Sequence, residues 1–375
     1  MYVRWSCLLF LAAIPFVSSA QVLAPVVVST NTTIRVMAAN LTTSNFQRYE
    51  TPGLNIMKGL QPDVVAIQEF NYQSATYPKN SDAGFREMLD NTFGTNFVYF
   101  REGGSKSIPN GVISRFPILT NGVWDDIELS DREFVWAKLD IPGTNELYVV
   151  SVHLKASDDS ASTTKRANQA TALKSLVQSN FPASAFVVIA GDFNIHSSTE
   201  AALTTFEQFL SDFPIPTDGV SGSSTNMNTN ASRSKRFDYV LPSFLLSSNQ
   251  VPTVIGSKSF SNGLVFDSRV YTPLPSPILF EDSGATNMQH MAVVKDFQID
   301  YTVTNYVTVT SPRLELLSNN LMGWSGQSNV TYTVQASSNL TAWATAGSAT
   351  SSSSNFVFTI PGGVPHPSFY RVMYP

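Results

Sequence analysis

The sequence predicts an α/β fold built on mixed β-sheets, followed by a separate small all-β unit. Three observations predict it. Short apolar, β-rich runs alternate with helix-like segments from Thr32 to about Ile299. Several of those runs end or begin on a polar side chain, as in "AFVVIAGDFNIHSS" (Ala185–Ser198). Near Tyr301 the composition turns rich in Thr, Ser and Asn, charges almost vanish, and alternating strands take over. With 375 residues, the chain suits one large domain over residues 31–300 and a β-module over residues 301–375.

The elements follow in order. Residues 1–20 read as a signal peptide: Arg4 gives a positive start, "WSCLLFLAAIPFV" an apolar run and Ser18–Ala20 a small-residue cleavage site, leaving Gln21 as the mature start. The run is too short to span a membrane, and no later stretch has that length and apolarity. Cys7, the one cysteine, lies inside it, so the mature chain has no disulfide, cysteine nucleophile or zinc–thiolate site. An exported, soluble protein is expected.

"TTIRVMAAN" (Thr32–Asn40) and "DVVAIQEF" (Asp63–Phe70) are strands, with room for a short helix in "TPGLNIMKGLQPD" between them. "NGVISRFPIL" (Asn110–Leu119), "FVWAKLDI" (Phe134–Ile141) and "ELYVVSVHLKA" (Glu146–Ala156) are strands, the last two a hairpin around Pro142 and Gly143. "STTKRANQATALKSLVQSNF" places Ala167, Ala170, Leu173, Leu176 and Val177 on one helical face. In "SSTEAALTTFEQFLSDF", Ser197 and Glu200 have capping-box spacing ahead of Leu203, Phe206 and Leu210. "RFDYVLP" and "MAVVKDFQI" are late strands. In the module, Trp343 and Tyr370 read as core.

The strand ends carry the chemistry. Asn40, Glu69, His153, Asp192 and Asn194 lie at or just past strand ends, and Asp238 and His290 at strand starts. In a mixed sheet these ends share one edge, where α/β sheets bind ligands. Glu69 and Asn40 offer hard oxygens to Mg²⁺ or Mn²⁺. Two histidines beside carboxylates transfer protons or bind a phosphoryl group. An amide and an arginine stabilise an anionic oxygen. The sum is metal-assisted attack of water on a phosphate ester. A formal charge of −5 supplies no global field for nucleic acid. The local run Arg233, Lys235 and Arg236 reads as a solvated loop. His196 reads as a helix-start residue and His366 as a loop residue.

The stretches "MAAN" at Asn40, "IQEF" at Glu69, "NGVISRFPI", "SVHLKAS" at His153, "GDFN" at Asp192–Asn194, "RFDYVL" at Asp238 and "QHMAVV" at His290 together resemble the endonuclease/exonuclease/phosphatase superfamily, in its order, over residues 34 to 299. The resemblance implies a four-layer α/β sandwich, two mixed sheets face to face with helices outside. It implies that Asn40 and Glu69 serve the metal, that Asp192 orients or deprotonates the attacking water, and that Asn194 supports the phosphate. His153 and His290 flank the phosphoryl group and Asp238 orients His290. Arg132, in "DREFVWAKL", and Asn110 are further candidates for contacting the substrate phosphate. Two departures stand out: Gln289 replaces the usual metal-holding Asp before the last histidine, and Asn110 stands where some members carry Glu. The substrate expected is a phosphate ester, whether nucleic acid, phospholipid head group or inositol phosphate, and the chain is expected to be a monomer. The tail resembles immunoglobulin- or fibronectin-like modules. The rival reading, motivated by Gln289, is a secreted binding protein with impaired catalysis on the same fold.

Overall fold

A computed structural model describes residues 22–43, 47–219, 225–309, 314–318, 320–361 and 369–373. The expected signal peptide, with Cys7, lies outside them, as does His366. The chain divides into two compact units, one of which is Thr30–Tyr301.

In order, that unit is built from β1 (Val22–Ala39, which begins before it), α1 (Thr51–Leu60), β2 (Val64–Ile67), α2 (Asp82–Thr92), β3 (Val98–Arg101), β4 (Gly111–Ser114), β5 (Ile118–Trp124), β6 (Phe134–Leu139), β7 (Leu147–His153), α3 (Ser160–Asn180), β8 (Phe186–Asp192), α4 (Ala201–Phe206), β9 (Asp238–Pro242), α5 (Phe244–Ser247), β10 (Gln250–Val251), β11 (Thr253–Ile255), β12 (Lys258–Phe260), β13 (Leu264–Phe266) and β14 (Ala292–Val309, which runs past it). One sheet has the order β10-β14-β1-β2-β4-β3, with β13 also on β14; the second has the order β5-β6-β7-β8-β9. Both mix parallel and antiparallel pairs.

Strand alternation sorts the side chains into layers. Ile34, Val36, Ala38, Val64 and Ala66 of the first sheet meet Val135, Ala137, Val149, Val188 and Val240 of the second in one buried cluster. Met37, Ala39, Val65 and Ile67 point the other way, onto Ile56, Met57 and Leu60 of α1 and Phe85, Met88 and Leu89 of α2. Val150, Val152, Val187, Ile189 and Tyr239 face Ala170, Leu173 and Val177 of α3 and Ala202 and Phe206 of α4. The result is a helix–sheet–sheet–helix sandwich. Among the described residues no helix is long and apolar enough to cross a membrane.

The structure departs from the sequence reading in two helices. On α3, Ala167 and Leu176 are only half-buried, while Arg166 and Gln169 are fully buried. Arg166 is neutralised by Glu200, with N–O distances of 2.8 and 3.0 Å, and also donates to the carbonyls of Lys155 and Ser157. Glu200 is therefore not a capping-box residue. It precedes α4 and makes no side-chain cap bond there. The helix itself is six residues long and stops at Phe206.

Beyond Thr302 the described strands form two three-stranded sheets. Leu321–Ser325 lies between Glu315–Ser318 and Asn355–Thr359, and Thr331–Ser337 lies between Ala344–Thr350 and Phe369–Met373. Met322, Trp324, Tyr332, Val334, Phe356 and Phe358 form their buried cluster. Tyr370 packs against it, whereas Trp343 is half-buried and lies under the Arg371 guanidinium.

Candidate active site

Register brings the carboxylates and imidazoles together. β7 and β8 are parallel, with His153 opposite Asp192, and β9 is antiparallel to β8, with Asp238 opposite Asp192. His153, Asp192 and Asp238 thus lie in one row across three strands. In the first sheet β1 and β2 are parallel and end together, Ala39 opposite Ile67, so Asn40 and Glu69 leave at the same edge. His290 precedes β14 and forms an isolated bridge with Asn230.

Gly191 makes the row possible. Its φ is +137°, a conformation side chains rarely adopt, and a Cβ there would lie 2.2 Å from the Val152 carbonyl oxygen and 2.5 Å from the Gln68 amide nitrogen. Gln68 in turn donates to the Ser151 hydroxyl, which donates to the Ile67 carbonyl, bridging the two sheets directly beneath the site.

Asp192 is the hub. Its Oδ2 lies 3.2 Å from Asn40 Nδ2, 3.3 Å from His153 Nε2 and 3.4 Å from His290 Nε2. Its Oδ1 accepts from the Asn194 main-chain N–H at 2.9 Å, a contact that the left-handed backbone of Asn194 (φ +50°) permits. Burial, only partly offset by the charge of His290, raises the Asp192 pKa to about 7. His290 differs from His153. Burial opposes its charge, but Asp238, 2.9 Å from Nδ1, together with Asp192 carries its pKa to about 10. His153 has no such partner. Burial, Arg132 and His290 hold it well below the ordinary value, and its Nδ1 is buried without a hydrogen-bond partner among the described residues. One imidazole is therefore a cation and the other neutral.

Glu69 is turned back by a left-handed φ of +51°, closed by Asn71 N–H on its carbonyl at 2.6 Å. Its carboxylate receives Thr42 Oγ1 at 2.5 Å, Gln47 Nε2 at 3.1 Å and Asn40 Nδ2 at 3.5 Å. The other end of the Asn40 amide, Oδ1, is buried with no partner among the described residues, as is Asp238 Oδ1. Orphaned oxygens beside a carboxylate suit a hard cation. Asp192, Asp238 and His290 also form a buried group whose ligand atoms lie within 4.8 Å of one another and could hold a metal ion.

Seven expected residues are thus brought to one edge: Asn40, Glu69, His153, Asp192, Asn194, Asp238 and His290. Three others take different places. Arg132 is buried and donates to the carbonyls of His153 and Leu154 at 2.6 and 2.8 Å, its third nitrogen meeting Asp131, so it braces the end of β7. Asn110 is fully buried, and its amide nitrogen donates to the Glu133 carbonyl at 2.6 Å. Gln289 is exposed between buried Met288 and buried His290, as alternation along an extended segment dictates, and stays outside the buried group. His196 meets Phe237 edge to face, and Phe237 also contacts the His290 ring.

The sequence reading missed Thr42 and Gln47 on Glu69, and Thr229, whose hydroxyl accepts from Asp238 N–H at 2.9 Å. No periodicity or motif marks them. Only the two-residue spacing of Thr42 from Asn40, which returns an extended chain to the same side, was there to be used.

The family model described as "Endonuclease/Exonuclease/phosphatase family" matches residues 54–259, more than half of the chain. No curated protein matches. Among solved structures, an endonuclease/exonuclease/phosphatase from Beutenbergia cavernae is 15% identical with a TM-score of 0.45, the alignment covering 92% of this chain and 100% of that one. The human Nocturnin catalytic domain with bound sulfate is 16% identical over 75% of this chain and 98% of that one, TM-score 0.45. An AP endonuclease from Archaeoglobus fulgidus is 14% identical over 70% and 99%, TM-score 0.43.

Proposed function

Since the chain belongs to the endonuclease/exonuclease/phosphatase family, whose members are hydrolases acting on phosphate esters, we propose that it is an exported Mg²⁺- or Mn²⁺-dependent phosphodiesterase working through Asp192, His153 and His290. The observation that carries the reading is the meeting of three nitrogens, from Asn40, His153 and His290, on one buried carboxylate oxygen of Asp192.

Asn40 and Glu69 would hold the metal. They supply oxygens, and Asn40 Oδ1 is buried and unpaired among the described residues, whereas His290, in the Asp192–Asp238–His290 group, is protonated and cannot coordinate until it loses that proton. When bound, the ion polarises the phosphoryl oxygen and neutralises charge that develops there. The chain's own groups do the rest. Asp192, near neutrality in proton affinity, accepts the proton of the attacking water. Asn194, fixed by its bond to Asp192 and by its amide on the Leu154 carbonyl, stands beside it. His290, held as a cation by Asp238, donates to a non-bridging phosphoryl oxygen from Nε2, while neutral His153 adds no charge; as the water oxygen bonds to phosphorus the ester P–O bond breaks, and the departing oxygen takes its proton from solvent. Arg132 keeps His153 in register with Asp192 by fixing the carbonyls at the end of β7.

Export rests on the pattern of residues 1–20, and an immunoglobulin- or fibronectin-like role for the two tail sheets rests on their all-β composition. The experiment is turnover of bis(p-nitrophenyl) phosphate, then of DNA, RNA, sphingomyelin and inositol phosphates, with Mg²⁺ or Mn²⁺ and with EDTA. Metal-dependent hydrolysis of any of them supports the reading. No hydrolysis of the whole panel favours the impaired binding protein.

A further inference from the structure

Asp238 and His290 belong to different sheets: Asp238 opens β9 of the five-stranded sheet, and His290 lies just ahead of β14 of the seven-stranded one. Their hydrogen bond therefore depends on whatever holds the two chain ends together. The segment Asn226–Lys235 does so from both sides. The Thr229 hydroxyl accepts the N–H groups of Phe237 and Asp238, both at 2.9 Å, and the Thr229 carbonyl accepts Met291 N–H at 2.6 Å. Ala231 N–H donates to the Gln289 carbonyl at 2.7 Å, and Asn230 bridges to His290. One short segment thus grips the residues flanking each partner of the pair.

The segment has no helix or sheet of its own to stiffen it. Its tie is Arg233. This residue adopts a left-handed φ of +57°, costly for a side chain of its size, and its side chain is only 12% exposed. Nη2 meets Asp218 at 2.8 Å and Nη1 meets Asp267 at 2.8 Å, while Nε donates to the Asn228 carbonyl at 2.7 Å, one residue before Thr229. A planar fork with three aimed donors fixes orientation in a way an ammonium cannot. Arg269 also pairs with Asp267 and lies 3.9 Å from Met291 Sδ, but among the described residues no hydrogen bond joins it directly to the segment.

We infer that Arg233 is a positioning residue: by anchoring Asn226–Lys235 to Asp218 and Asp267 it sets the Asp238–His290 contact. The catalytic part of this inference rests on the phosphodiesterase reading; the structural part does not. Loosening the segment shifts His290 relative to Asp192 without touching substrate, so turnover suffers and binding does not.

The test measures two things on full-length protein. One is the downfield His290 Nδ1–H proton resonance, assigned by its loss in His290→Gln. The other is kcat and KM on bis(p-nitrophenyl) phosphate. In Arg233→Gln the resonance is expected to broaden or vanish and kcat to fall about tenfold or more with KM little changed. Arg233→Lys should recover part of both. Arg269→Gln, which removes a neighbouring guanidinium from Asp267, should keep both even if it lowers the melting temperature. If Arg233→Gln does not fold, Asp218→Asn, which frees one arm of the fork, carries the test with the same expected direction. Folded Arg233→Gln with unaltered resonance and kcat overturns the inference, as does an equal loss in Arg269→Gln. If the unmodified protein turns over no phosphodiester, the resonance alone decides, and the failure is that of the phosphodiesterase reading.

Discussion

Replacing Lys295 by Met should stabilise the protein, and by an amount that depends on pH. Lys295 sits in β14, fully buried, its Nζ without a hydrogen-bond partner among the described residues. Burial lowers its pKa from 10.5 to about 7, a fall that nearby Asp212 resists and Arg236 assists. The unfolded chain holds the proton up to about pH 10.5 and the folded chain releases it near 7, so folding costs a deprotonation at every pH between them. At pH 7 that cost is about 4 kcal/mol, and by pH 10 it shrinks to about 1 kcal/mol, taking 1.36 kcal/mol for each tenfold step. Methionine has similar length and no charge, so it removes the cost at both pH values while keeping most of the packing. Urea unfolding of both proteins at pH 7 and pH 10 reads the effect. The variant should be more stable by a few kcal/mol at pH 7, with the gap closing by pH 10. A gap independent of pH, or a less stable variant, would show that Lys295 is satisfied in the folded protein and that the reasoning is wrong.

Gly191→Ala forces a methyl against the Val152 carbonyl and Gln68 at a φ of +137°; a loss of several kcal/mol in unfolding free energy is expected, and near-native stability would contradict the packing described. For hydrolysis, kcat/KM should rise as pH passes about 7, where Asp192 ionises, and decline past about 10, where His290 loses its proton; a profile flat from pH 5 to 11 would detach both groups from the chemistry. Gln289→Asp should leave the half-saturating Mg²⁺ concentration unchanged, because the side chain is exposed outside the buried group; tightening of about tenfold, the scale for adding a charged ligand, would place it on the metal after all.

Much of the site was legible because strand ends are loud. A run such as "FVVIAGDFN" carries its polar residues out of an apolar pattern, and their order along the chain matched one family. The layers followed from alternation, which the structure reproduces at Val36, Met37 and Ala38. What stayed hidden was polar and long-range. Arg166 reads as a solvated helical residue until Glu200, 34 positions away, is found beside it. Arg233 reads as part of a surface charge run until Asp218 and Asp267 close on it. Arg132 and Asn110 were assigned to phosphate by type and neighbourhood, yet their nitrogens serve main-chain carbonyls, and no local pattern distinguishes a donor aimed at ligand from one aimed at backbone. The apolar spacing carries the helix after Asp192 on to Leu210, whereas in the structure α4 stops at Phe206 and Leu210, buried beyond its end, bridges to Ser243.

The proposed chemistry depends on Asp192. The measurement is turnover of bis(p-nitrophenyl) phosphate with Mg²⁺ by the full-length protein and by Asp192→Asn, which keeps the shape of the side chain and its packing but removes the carboxylate on which Asn40, His153 and His290 converge. The unmodified protein should hydrolyse the diester and lose that activity in excess EDTA, and the variant, folded to the same melting temperature within a few degrees, should be slower by a factor of roughly 10² to 10⁴. A folded Asp192→Asn variant that hydrolyses the diester as fast as the unmodified protein would contradict the account.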